Sequence, residues 1–161
     1  MKKVIFLTLV LCLGLAMGAF AEPAAPTNVT VGVAVVDTQE LVNNNTLVTL
    51  PTPTAANYNA GYTDIATGQL TVRSNVPWRL DVRTENWSSP TGVNKALVDF
   101  QWKRQIHSVF QSSSSNNQLV VNSTPTAGTN ININYRMKLD WANDAPGDYS
   151  LVQLYTLTKD S

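Results

Sequence analysis

The sequence predicts an all-β protein, an antiparallel sandwich of about eight to ten short strands in a single domain. Three observations predict it. Apolar residues recur at every second position along several segments, the period of a strand with one buried face. Val, Thr, Asn and Ser are abundant and charged residues are few; Val and Thr suit a pleated surface, while Asn and Ser serve turns. Turn residues separate the alternating segments at short intervals, and no segment carries a convincing helical period.

The first segment is an address. The chain opens Met1-Lys2-Lys3, runs apolar from Val4 to Leu15 and reaches Ala19-Phe20-Ala21 before Glu22. A basic start, a short apolar run and a small-x-small site make a bacterial-type secretory signal. A membrane-spanning helix needs about 20 apolar residues, and this run is shorter and interrupted by glycine. Residues 1–21 are therefore expected to be a signal helix cleaved after Ala21, with Ala16-Met17-Gly18 as the other acceptable site. Residues 22–161 are expected to be the mature domain, secreted to the extracellular space, cell surface or periplasm, with no membrane insertion after cleavage. Cys12 is the only cysteine and leaves with the signal. Disulfides, cysteine nucleophiles and cysteine-ligated zinc are thereby excluded from the mature chain. Lys2 and Lys3 leave too, so nine Lys and Arg face eleven Asp and Glu, a net charge of −2. Nucleic acid and anionic lipid both need clustered positive charge, and neither is an expected partner.

Each mature element has its own signal. Residues 28–37 alternate, with Val29, Val31, Val33 and Val35 on one face. Asn43-Asn44-Asn45 breaks the pattern, residues 47–50 form a short strand, and Pro51 and Pro53 close it because proline cannot donate to a ladder. Residues 55–68 are small and Asn-rich and are expected to loop, with a short strand near 62–65. Residues 69–74 and 78–85 are the clearest strands, joined by Asn75-Val76-Pro77. In the second, Trp78, Leu80, Val82 and Thr84 face a core, and Arg79, Asp81, Arg83 and Glu85 face water. Residues 95–103 return with Ala96, Val98, Phe100 and Trp102 inward. Residues 106–111 and 118–122 are expected to form a hairpin around a serine-rich tip, and 124–129 turns again. Residues 130–141 place Ile131, Ile133, Tyr135, Met137, Leu139 and Trp141 on one face, and after the turn at Ala145-Pro146-Gly147-Asp148 the last strand occupies 149–158.

No catalytic signature and no cofactor emerges. His107 is the only histidine and has no nucleophile elbow beside it. Asp81 and Glu85 alternate with arginines on one strand face, which cross-strand charge pairing explains without hydrolysis. Asp140, Asn143, Asp144 and Asp148 crowd one turn and are weak candidates for calcium, although their spacing is not that of an EF-hand and Asp and Asn are ordinary turn residues. Trp78, Trp102 and Trp141 fall on apolar strand faces and read as core. Trp87, at the start of a loop, and the Tyr58/Tyr62 loop are the candidates for stacking on a sugar. Asn28, Asn44, Asn86 and Asn122 each begin an Asn-x-Ser/Thr triplet.

The run Thr67-Gly68-Gln69-Leu70-Thr71-Val72-Arg73-Ser74-Asn75-Val76-Pro77-Trp78-Arg79-Leu80-Asp81-Val82 resembles a segment of bacterial secreted pilin-like and spore-coat-U-like β-sandwiches. In those proteins a strand, a Ser/Cys-Asn-x-Pro-aromatic kink and a second strand follow one another. The ending Asp144-Ala145-Pro146-Gly147-Asp148-Tyr149 is similar to their final turn and strand, although this mature chain has none of their disulfides. The resemblance implies an immunoglobulin-like sandwich with a structural or adhesive role and carries over no catalytic residue. The expected function is a non-enzymatic extracellular or surface structural protein that self-associates into filaments or matrix. Its homo-oligomer would form by β-strand addition through residues 22–37 and Val29, Val31, Val33 and Val35. The alternative is a carbohydrate-binding module that takes a polysaccharide on Trp87, Tyr58 and Tyr62. N-terminal sequencing of the exported protein is expected to begin at Glu22; a chain that still carries Met1 in the culture medium would show that the leader is not removed.

Overall fold

The computed structural model describes residues 32–90 and 95–160. The signal segment, Cys12, Val29 and Val31 lie outside the described residues. In chain order the elements are β1 (Gln39–Asn43), α1 (Ala55–Ala60), β2 (Ala66–Ser74) and β3 (Trp78–Ser88), then a 3-10 turn (Leu97–Asp99) and β4 (Phe100–Arg104). They are followed by β5 (Gln111–Ser112), β6 (Gln118–Ser123), β7 (Thr126–Met137) and β8 (Ser150–Lys159). The strands form two antiparallel sheets, one in the order β1-β2-β7-β4-β5 and the other β6-β3-β8. Among the described residues no helix is long and apolar enough to cross a membrane.

The alternation in the sequence becomes the core between the sheets. From the five-stranded sheet come Leu70, Val72, Ile131, Ile133 and Trp102; from the three-stranded sheet come Trp78, Leu80, Val82 and Val120. Trp78, Leu80, Val72 and Ile133 are fully enclosed. A core of this kind has to place its polar handles as well as its rings, because a buried donor without an acceptor costs about 1–3 kcal/mol. Trp78 Nε1 donates to the Thr124 carbonyl at 2.8 Å, and Trp102 Nε1 donates across the sheets to Gln118 Oε1 at 3.2 Å. The Tyr135 and Tyr155 hydroxyls, one from each sheet, lie 2.6 Å apart, and the Tyr155 O–H donates to Gln153 Oε1 at 2.8 Å. The outward side of β2 and β7 is a ladder of polar pairs: Thr71 to Asn130 at 2.8 Å, Gln69 to Asn132 at 2.9 Å and Thr67 to Asn134 at 2.9 Å.

Several expected elements differ, each for a local reason. The described part of the expected strand 28–37, with Val33 and Val35, has no ladder; the strand forms instead at Gln39–Asn43, paired with β2 from Gln39↔Ser74 to Asn43↔Leu70. Asn75 competes for the backbone just before it, taking Val36 O with its amide at 2.8 Å and accepting from Thr38 N at 2.7 Å. Residues 47–50 are not a strand. Val48 and Leu50 pack against the core as side chains, and Gly68 makes room for one of them, since a Cβ there would meet Val48 Cγ2 at 3.0 Å. The expected loop 55–68 contains α1 and the start of β2. The 3-10 turn at Leu97–Asp99 replaces the start of the expected strand 95–103, with Ala96 and Val98 exposed rather than inward and Lys95 buried just before it.

The expected 106–111/118–122 hairpin does not form. β5 pairs with β4 in one sheet and β6 with β3 in the other, and Ile106 and Val109 are exposed. The serines between them carry the chain from sheet to sheet: Ser113 N donates to Phe100 O at 2.9 Å, and Ser114 O accepts from Thr84 N at 2.8 Å. Residues 126–129, expected in a turn, already belong to β7. Asp81 and Glu85 find their arginines two residues away on the same strand, Arg79 at 2.8 Å and Arg83 at 2.7 Å, rather than across strands.

Burial pushes the Tyr135 phenol up to about 12 and raises Tyr155 well above the ordinary value. A raised folded pKa stabilises the protonated form, so this contribution is intact below about pH 10 and is lost at up to about 1.4 kcal/mol per pH unit as pH climbs toward 12. Ultraviolet titration is expected to show these two tyrosines ionising only as the domain unfolds, and Tyr135→Phe should flatten the alkaline loss of stability.

Candidate functional site

One end of the sandwich collects the chemistry that the strands do not use. It is built from α1, the end of β7 and the turn that follows it. α1 is a six-residue helix of Ala and Asn around Tyr58, too short to be stable on propensity alone. It is held by its caps: Thr54 and Asn57 form a reciprocal capping box, with Thr54 N donating to Asn57 Oδ1 at 2.8 Å. Gly61 closes the helix at φ 80°, in the left-handed region where a side chain would be strained. From there Gly61 O accepts Leu139 N and Met137 O accepts Thr63 N, both at 2.9 Å, which fastens the helix to the end of β7.

The turn at 140–144 is an equally closed unit. Asp140 accepts from Ala142 N at 2.8 Å with Oδ1 and from Asn143 Nδ2 at 2.8 Å with Oδ2; these two bonds, the backbone one first, hold its carboxyl below the usual range. Asp144 Oδ2 accepts from Asp140 N at 2.9 Å. Its other oxygen meets Lys95 Nζ at 2.6 Å, both side chains being almost wholly buried, and Asp99 stands 3.7 Å from the same ammonium. The turn rests on this ion pair. Tyr62, Lys95, Lys138, Asp140 and Asn143 help to line a shallow depression of about 430 Å³ beside it.

The weak calcium candidates are thus brought together only in part. Asp140, Asn143 and Asp144 share one turn, but each Asp140 oxygen already accepts one bond, from Ala142 N or Asn143 Nδ2, the Asp144 oxygens accept from Asp140 N and Lys95 Nζ, and among the described residues no hydrogen bond joins Asp148 to them. Among the described residues no group of three or more His, Cys, Asp or Glu is placed to hold a metal ion. His107 lies on an exposed turn after β4, its backbone N–H bonded to Arg104 O.

The aromatic candidates are redistributed. Trp87 is not an exposed platform: it is half-buried, donates Nε1–H to Lys95 O at 2.6 Å, and continues the core as a row with Tyr149 and Phe100. Tyr62 is covered by the Arg136 guanidinium, 3.7 Å from its ring centre. Tyr58 remains, and its partner is Trp141. The two rings stack at 4.5 Å with 29° between their planes, Trp141 is 63% exposed, and its Nε1–H donates to Asn59 Oδ1 at 3.1 Å. Trp141 was expected inward because it continues the alternation of β7. The ladder ends at Met137, however, and Asp140, Asn143 and Asp144 around it are turn formers whose composition was the available signal.

No protein-family model matches this chain, and no curated protein matches it.

Removing one partner of a buried ion pair leaves an uncompensated charge and costs about 3–5 kcal/mol. Lys95→Ala is expected to lose stability on that scale in urea unfolding. The double replacement Lys95→Met with Asp144→Asn, which keeps an acceptor for Asp140 N, should recover most of it.

Proposed function

We propose that this chain is a secreted, non-enzymatic structural protein of the cell surface or extracellular matrix. In this reading it is an immunoglobulin-like sandwich whose copies associate by β-strand addition. The outer edge of β8 carries the reading. Among the described residues β8 pairs only with β3, so no described strand takes up the backbone donors and acceptors along the other side of this ten-residue strand. Sheet edges are ordinarily blunted by charge, proline or a bulge. From Ser150 to Thr158 this edge has no charge and no proline.

Its inward row is also incompletely covered. Leu151, Gln153, Tyr155 and Leu157 are half-buried, while Thr84, Val82 and Leu80 opposite them on β3 are enclosed. An added strand would complete both the ladder and the burial. The segment from Val29 to Val35 carries valine at every second position, which is the pattern such an edge accepts. Asp37 is tied to Lys159 at the end of β8 by 2.8 Å, so the chain entering β1 starts beside the edge. Passed from each copy to the next, the contact is heterologous and open-ended, and it yields a filament.

Mature protein is expected to form concentration-dependent oligomers in light scattering and filaments in negative-stain micrographs. A chain beginning at Val36 should stay monomeric and should bind a synthetic 27–37 peptide with a rise in Tm. A mature chain that remains monomeric at every concentration overturns the reading, because its valine segment is then satisfied within its own copy.

A further inference from the structure

We propose that Trp141 and Tyr58 form a stacking platform for a pyranose ring of a polysaccharide, with Asp140, Asn143 and Lys138 as polar partners. The inference does not depend on the β8 edge. It starts from the cost of the arrangement: a tryptophan 63% exposed leaves its largest apolar surface in water, at about 25 cal/mol per Å² forgone. An exposed ring of no consequence would also be free to rotate. This one is held at its edge by the Asn59 amide oxygen and against one face by Tyr58.

The two rings belong to separately braced elements. Tyr58 rides on α1, fixed by its capping box and by the bonds from Gly61 and Thr63 to the end of β7. Trp141 rides on the turn closed by Asp140 and Asp144 and seated on Lys95. Rings held ready in this way lose little rotamer freedom on binding, so more of the contact energy remains as affinity.

The surroundings decide the class of ligand. A pyranose presents an apolar C–H face and a girdle of hydroxyls, each able to donate and accept. The platform offers an aromatic surface for the first. For the second, the turn that carries Trp141 and the residue that follows β7 offer a carboxylate at Asp140, an amide at Asn143 and an ammonium at Lys138, all three lining one depression. A nucleobase would also stack on such rings, but single-strand binding needs a basic groove to follow the backbone, and this turn is mostly acidic and amide.

Affinity electrophoresis of the mature protein through gels containing a soluble β-glucan, a xylan, a galactomannan, chitin oligomers or peptidoglycan fragments tests the site. At least one polymer is expected to retard the wild type. Trp141→Ala and Tyr58→Ala should each weaken that retardation on the order of tenfold, Trp141→Phe should keep part of it, and Ile106→Ala, at an exposed apolar position elsewhere, should leave it intact. Circular dichroism melts keep loss of binding separate from loss of fold: the effect must appear with Tm unchanged. Retardation by none of these polymers, or equal retardation of wild type and Trp141→Ala, overturns the proposal. Self-association abolished by Trp141→Ala without any polymer binding also overturns it, and assigns the rings to a protein contact.

Discussion

Trp78 can be fully buried only if the chain changes sheets immediately before it, and much of the structure is arranged around that crossing. β2 ends at Ser74 in the five-stranded sheet and β3 begins at Trp78 in the three-stranded one. The intervening turn is braced by the Ser74 hydroxyl, which donates to Val76 O at 2.7 Å and accepts from Val76 N at 3.2 Å. Asn75 draws in residues 36–38, Pro77 O accepts Asp160 N at 3.0 Å, and the indole N–H reaches Thr124 at the entry to β7. The turn before Trp78 thus ties residues 36–38 and Asp160 to the crossing, while the indole itself reaches Thr124.

The far end of the sandwich is organised by charge and ring stacking instead. Tyr149, Trp87, Phe100 and Tyr135 form a chain of neighbouring rings that prolongs the core past the last aliphatic layer. Beyond it Lys95 and Asp144 carry the polar turn. A buried ion pair adds little net stability over an apolar equivalent. Its contribution here is positional, because a lysine with one carboxylate at 2.6 Å and a second at 3.7 Å gives the 140–144 turn a single resting place.

The long alternations were legible in the sequence because they answer to one physical demand, a face in water and a face in the core. β2, β3, β7 and β8 satisfy it along most of their lengths, and Leu80, Val82, Ile131 and Ile133 are enclosed as their spacing predicts. The expected turn at Asn75-Val76-Pro77 is also where β2 stops and β3 begins, whereas β7 stops at Met137, well before the expected turn at 145–148. What was not legible depends on partners far away in the chain. Nothing local tells Val48 to fill the space left by Gly68, or Ser113 and Ser114 to bond to different sheets. α1 owes its existence to a capping box with Asn57 in the place usually taken by Glu or Gln, and to its attachment to β7. Trp141 misled because a period-2 pattern has no mark of its own where a ladder ends. Of the candidate site, Tyr58, Asp140 and Asn143 could be named from residue type, whereas Trp141, Asn59 and Lys95 needed the fold to bring them there.

The pairing of β2 with β7 also governs how this domain comes into being. Its register joins Ala66 to Tyr135 and Thr71 to Asn130, so the central ladder closes a loop that contains β3, β4, β5 and β6. The entropy of closing that loop is lost before the contacts that offset it exist. Folding is therefore expected to be slow, on the millisecond-to-second scale typical of sandwich topologies. A nascent chain that has not yet delivered Met137 lacks the middle of its larger sheet, and until that strand arrives the apolar faces of β2 and β3 have little to close against.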